Sequence, residues 1–190
     1  MRILNGILSY LVITVFVCMI VALVLDSIKG CACAQSYDKT ALALAQCLVA
    51  ECDRCDRGEE KAAVAWVLWK GMERYNENPY NTKKRSYYDQ IKAYCAVFDR
   101  RSKFYYGRRA RLIRRATYNR PPHIDYSSWR AIVEFSEWFL VGAVSDPIPD
   151  SRHFGGIFDT KRARRNGMKI LKKYCNRRGH WCTYIFGGKR

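Results

Sequence analysis

From Ile7 to Leu25 the chain runs without a charged residue, and only Ser9 and Thr14 interrupt the apolar run in a polar sense. A helix of that length spans roughly 28 Å, enough to cross a hydrocarbon core. Arg2 precedes the run, and Ala32-Cys33-Ala34 follows it as an A-x-A cleavage signal. Two readings compete: a retained signal anchor, which the length favours, or a cleaved signal peptide. Ile28-Lys29-Gly30-Cys31 makes a poor lipidation site because of Lys29. Each reading places residues 35–190 outside the cytoplasm, and the anchor also holds them at a membrane through residues 7–25. The chain therefore divides into a targeting segment, 1–34, and a body of one domain, 35–190.

The cysteines agree with export. Of nine, Cys18, Cys31 and Cys33 lie in or just after the apolar run. Cys47, Cys52, Cys55, Cys95, Cys175 and Cys182 belong to the body, and behind an export signal they read as a disulfide framework whose pairing spacing alone leaves open. The formal net charge is +17. Residues 1–34 hold only Arg2 and Lys29 against Asp26, so nearly all of that charge sits on the body. It calls for a polyanionic partner: nucleic acid, anionic lipid or the acidic polymers of a bacterial envelope. With 49% hydrophobic and 14% aromatic residues, the body has ample material for a core, which excludes a disordered chain.

Periodicity predicts a mainly helical domain. Ser36 or Asp38 can cap an Ala- and Leu-rich helix running to about Glu51. Glu59–Arg74 follows with Val64, Val67, Leu68 and Met72 as its apolar face. Tyr87–Cys95 reads as a short helix leading to Phe98. Ser127 or Ser128 caps an amphipathic helix to about Val141, ended by Gly142. Asp146–Gly156 reads as a loop, Thr160–Tyr174 as a basic helix and His180–Phe186 as a short strand.

Glu51 is the residue most suited to chemistry. Leu44, Cys47 and Leu48 share its helix face, so its carboxyl ends an apolar stripe. Desolvation there, and a helix C-terminus that disfavours negative charge, both push its pKa up. A carboxyl kept protonated near neutral pH is what a general acid needs to protonate a glycosidic oxygen.

Residues 39–156 also carry five elements in a recognisable order. An Ala-rich helix, Ala45 to Glu51, ends in the acid. A short loop leads to Gly58-Glu59-Glu60-Lys61-Ala62-Ala63-Val64-Ala65-Trp66-Val67-Leu68. Phe98 follows a helix. Trp129-Arg130-Ala131-Ile132 opens a helix that ends in small residues and Asp146-Pro147. His153-Phe154 closes the series. In this the chain resembles the SleB-like cell-wall hydrolases, typified by a spore-cortex-lytic enzyme. The resemblance implies a lysozyme-like, mostly helical fold, cleavage between N-acetylmuramic acid and N-acetylglucosamine, and Glu51 as the catalytic acid. It departs from the family where Trp69-Lys70 replaces an Asn-Arg pair, and where Asp146-Pro147-Ile148-Pro149-Asp150 replaces a D-P-T-G-G loop.

As a lytic transglycosylase, Glu51 would donate a proton to the leaving oxygen, then act as base on the sugar's own 6-hydroxyl. A muramidase needs a second carboxylate. Asp53, Asp56, Asp146 and Asp150 are candidates and none stands out, which favours the transglycosylase. Tyr126, Trp129, His153 and Phe154 are the candidate sugar-binding residues. No cofactor is called for. Cys52-x-x-Cys55 with Cys175, His180 and Cys182 lacks a usual zinc spacing, so no metal is expected. The runner-up is a membrane-anchored structural or nucleic-acid-binding protein, for instance in a virion, whose arginine- and tyrosine-rich stretches 100–120 and 161–178 grip phosphates. An amidase is a third reading, without the zinc or Cys/His site it would need. The anchor, charge and size suit phage lysis or wall penetration as well as bacterial envelope remodelling.

Overall fold

The first described helix, α1 (39–51), shows how far apolar patterning governs this fold: Ala41, Leu44, Ala45, Cys47 and Leu48 are all fully buried. In the computed structural model, residues 39–52, 58–175 and 182–188 are described. The segment Ile7–Leu25, the Ala32–Ala34 signal, the expected caps Ser36 and Asp38, and Asp53, Cys55, Asp56 and His180 lie outside them. Among the described residues no helix is long and apolar enough to cross a membrane.

Helix α2 (Gly58–Glu77) opens with Glu59 and Glu60 and carries Arg74 in its last turn, both favourable to the helix dipole. Ala63, Val64, Ala65 and Leu68 bury its inner face. Helix α3 (Tyr87–Tyr94) is capped by Ser86, whose hydroxyl accepts from the Asp89 N–H. Helix α4 (Arg108–Arg114) follows a 3-10 turn at Lys103–Tyr106. Helix α5 (Tyr126–Leu140) starts two or three residues earlier than the serines suggested. Asp125 is its cap, accepting from the Ser128 N–H at 2.8 Å, while the Ser127 hydroxyl donates to the same carboxylate. Gly142, at φ +77°, ends it as expected.

The C-terminal third corrects the mainly helical expectation. The chain is mixed: among the described residues six α-helices accompany a three-stranded antiparallel sheet ordered β1-β3-β2. Strand β1 (Ser151–Gly155) lies in the expected Asp146–Gly156 loop. The expected basic helix 160–174 is two elements, α6 (Ile157–Arg165) and β2 (Lys169–Cys175). Gly167, at φ +71°, supplies the left-handed residue that stops α6. The following Lys-Ile-Leu-Lys-Lys run is exposed, and lysines on an edge strand discourage further pairing. The expected terminal strand is present as β3 (Cys182–Gly187), the buried centre of the sheet.

One core joins α1, α2, α3 and α5 to Phe154 of β1 and Ile185 of β3. A smaller cluster unites Ala163 of α6 with Tyr184 and Phe186 of β3. Two disulfides resolve part of the framework: Cys47 pairs with Cys95 and Cys175 with Cys182. The second closes the β2–β3 hairpin, which takes both cysteines out of any zinc set.

Candidate active site

Glu51 is placed by three independent ties at the end of α1. The Cys52 N–H donates to the Leu48 carbonyl, so the helix holds its shape through Glu51. The Thr183 hydroxyl of β3 donates to the Glu51 carbonyl at 3.1 Å. The Ala96 N–H, just after α3, donates to Glu51 Oε1 at 2.9 Å. One turn back along α1, Cys47 is bonded to Cys95, the neighbour of Ala96. The disulfide thus joins the helix that carries the acid to the backbone that solvates it.

The electrostatics follow from that position. Burial raises the Glu51 pKa to about 6; the Ala96 N–H opposes the rise, and the negative charge of Asp159 adds to it. Glu51 lies on the wall of a cavity of about 630 Å³ that also takes in His153, Phe154 and Asp159. His153 stacks on Phe186 at 5.8 Å and on Phe154 at 6.2 Å. Burial lowers its pKa against the pull of Asp159, with Arg162 helping to lower it, so its ring is neutral at neutral pH.

Asp159 is the residue that sequence reasoning missed. It sits in the first turn of α6, where its carboxylate accepts from the Gly156 N–H at 3.0 Å. A side chain at Gly155 would run into that carboxylate, so glycine lets α6 close against β1. The available signal was the spacing itself: an acid three residues after Gly156 is a helix-capping arrangement. It was obscured by starting the helix at Thr160.

The structure brings Glu51, His153 and Phe154 to one cavity and leaves Tyr126 and Trp129 away from it. Trp129 is fully buried, with Nε1 donating to the Thr117 carbonyl at 2.8 Å. Its ring fills the core and cannot stack on a sugar. Tyr126 is 50% exposed on the first turn of α5, off the cavity wall. Trp129→Ala is therefore expected to cost roughly 3–5 kcal/mol of stability, seen as a lower urea midpoint. An unchanged midpoint with weakened sugar binding would return Trp129 to the cleft.

Of the four proposed second carboxylates, Asp53 and Asp56 lie outside the described residues. Asp146 forms an ion pair with Lys70. Asp150 lies on the wall of a neighbouring cavity instead. Lys70 also donates to the carbonyls of Ile148 and Pro149, latching that loop to α2. Trp69 joins an aromatic cluster with Tyr87 and Phe139. The Trp69-Lys70 pair that departs from the family pattern thus has structural work of its own.

Most of the basic residues between 100 and 120 are exposed, including Arg101, Arg108, Arg111 and Arg120. Arg114 is an exception: it donates to the Val97 and Tyr105 carbonyls and stacks over the Tyr105 ring at 3.8 Å. No family model, curated protein or solved structure matches this chain.

Proposed function

We propose that the protein cleaves the glycan strands of bacterial cell walls, between N-acetylmuramic acid and N-acetylglucosamine, with Glu51 as the proton donor. The observation that carries the reading is a carboxyl of raised pKa, positioned by a backbone N–H on the wall of a cavity large enough for sugar rings. The order of the five SleB-like sequence elements supports it independently. The disulfides suit a domain working outside the cytoplasm, tethered through residues 7–25, and the basic surface suits adhesion to an anionic envelope.

A lytic transglycosylase needs only Glu51, acting first as acid and then as base on the 6-hydroxyl. One observation favours a second reading. Asp159 shares the cavity with Glu51, which gives a muramidase the second carboxylate it requires. The products separate the two. Peptidoglycan digested by the disulfide-intact protein and read by mass spectrometry should yield soluble muropeptides. Anhydro-ends assign the transglycosylase; reducing ends assign the muramidase, and then Asp159→Asn should stop release. No soluble fragment at all would overturn the glycosidase reading.

A further inference from the structure

We propose that Arg74 and Arg152 form an anion subsite beside the Glu51 cleft that takes a carboxylate of the peptide stem carried by the glycan. The inference rests on the glycosidase reading and names the part of the substrate that reading leaves unplaced. Arg74 at the end of α2 and Arg152 on β1 line the Glu51 cavity and also a second cavity of about 550 Å³. Walls common to both make the two spaces neighbours.

The second cavity is rich in positive charge. Lys70, Arg74, Arg152 and Lys169 line it against a single acid, Asp150. Lys70 is engaged by Asp146. Among the described residues, no ion pair engages Arg74, Arg152 or Lys169. Both arginines are solvent-exposed, and each lies against the backbone. Arg74 Nη2 donates to the Arg152 carbonyl at 3.0 Å. Arg152 packs over Gly188, where a Cβ would lie 2.7 Å from its Nε.

The two guanidinium charges act on one another unfavourably. Burial lowers the Arg74 pKa, and the charge of Arg152 lowers it further; Tyr94, Glu73 and Glu77 offset only part of this. An anion between them relieves the repulsion, and guanidinium groups bind carboxylates through paired, charge-assisted hydrogen bonds. A glycan strand lying along the Glu51 cleft carries its carboxylates on the peptide attached to every muramic acid. The adjoining basic cavity therefore receives the stem while the sugar chain occupies the cleft.

The test is calorimetric titration of the full-length chain in detergent. The ligands are N-acetylglucosaminyl-N-acetylmuramyl tetrapeptide, its carboxyl-amidated form, the free tetrapeptide and neutral chitotetraose. The disaccharide lacks the bond that the glycosidase reading cleaves, so it stays intact. The acid form should bind about tenfold tighter than the amide. Added salt should erase that preference, an arm that needs no variant. Arg74→Gln/Arg152→Gln should erase it too. Equal binding of acid and amide, or a preference that survives in the double variant, overturns the subsite. Chitotetraose binding without any acid preference leaves the glycan reading standing and removes the subsite. Arginine-dependent binding of the free tetrapeptide, with no binding of chitotetraose, keeps the subsite and removes the glycan reading.

Discussion

Glu51→Gln should lower the rate of wall cleavage by about 10²–10⁴-fold, the range expected for loss of a general acid, while making the folded protein more stable at neutral pH. The two effects have one origin. Burial lifts the folded-state pKa of Glu51 to about 6 from an ordinary value of 4.5. Below the ordinary value the carboxyl is neutral in both folded and unfolded chains, and its burial carries no charge penalty. As pH rises through the folded value, the native protein must hold a charge that the unfolded chain hydrates freely. The native state is then weaker by about 2 kcal/mol relative to low pH, at about 1.4 kcal/mol per pKa unit. Glutamine has the same shape, still offers an oxygen to the Ala96 N–H, and carries no charge. The variant should melt roughly 4–8 °C higher than wild type at pH 7, and the gap should close by pH 4. Wild-type cleavage should fall along a limb centred near pH 6 as the acid loses its proton. A variant that loses activity but shows no pH-dependent stability gain would mean that Glu51 is solvated, and the catalytic argument would lose its physical basis.

Glu51 was legible because its helix obeys a simple rule. The face that buries Leu44 and Leu48 also carries Cys47 and Glu51, so partial burial of the carboxyl follows from spacing. The helices α2, α3 and α5 were legible for the same reason, with boundaries off by one to three residues, as where Asp125 outcompeted the serines as a cap. The α6–β2 region was not. Its lysines and arginines give no apolar period to read, and the strand exists because β3 pairs with it and Cys175 bonds to Cys182. That is tertiary context, which overrides local pattern. The site divides along the same line. His153 and Phe154 were placed by motif order. Asp159, Arg74 and Arg152 come together only when β1 lies against α2. Trp129 misled because a tryptophan that opens an amphipathic helix looks the same in sequence whether it faces a core or a cleft.

Removing the Cys47–Cys95 disulfide should damage stability and chemistry together. The bridge closes a loop with a sequence separation of 48, for which the chain-entropy relation gives about 4 kcal/mol, or roughly 8–16 °C in melting temperature. Cys175–Cys182, with a separation of 7, is worth about 2 kcal/mol by the same relation. A Cys47→Ala/Cys95→Ala protein should therefore melt below a Cys175→Ala/Cys182→Ala protein. The distinguishing effect is local. Cys47 lies one helical turn before Glu51, and Cys95 immediately precedes the Ala96 N–H that the carboxyl accepts. Without the bridge, the end of α1 and the chain after α3 are free to separate, and water reaches the carboxyl. Desolvation is the largest cause of its raised pKa, so wetting it outweighs the lost hydrogen bond and brings the pKa back toward 4.5. The limb of the pH–rate profile should move to lower pH in the Cys47/Cys95 variant and stay near pH 6 in the Cys175/Cys182 variant, measured well below either melting temperature. If both variants keep the limb near 6, the bridge is a stabiliser alone, and α1 holds its acid in place without it.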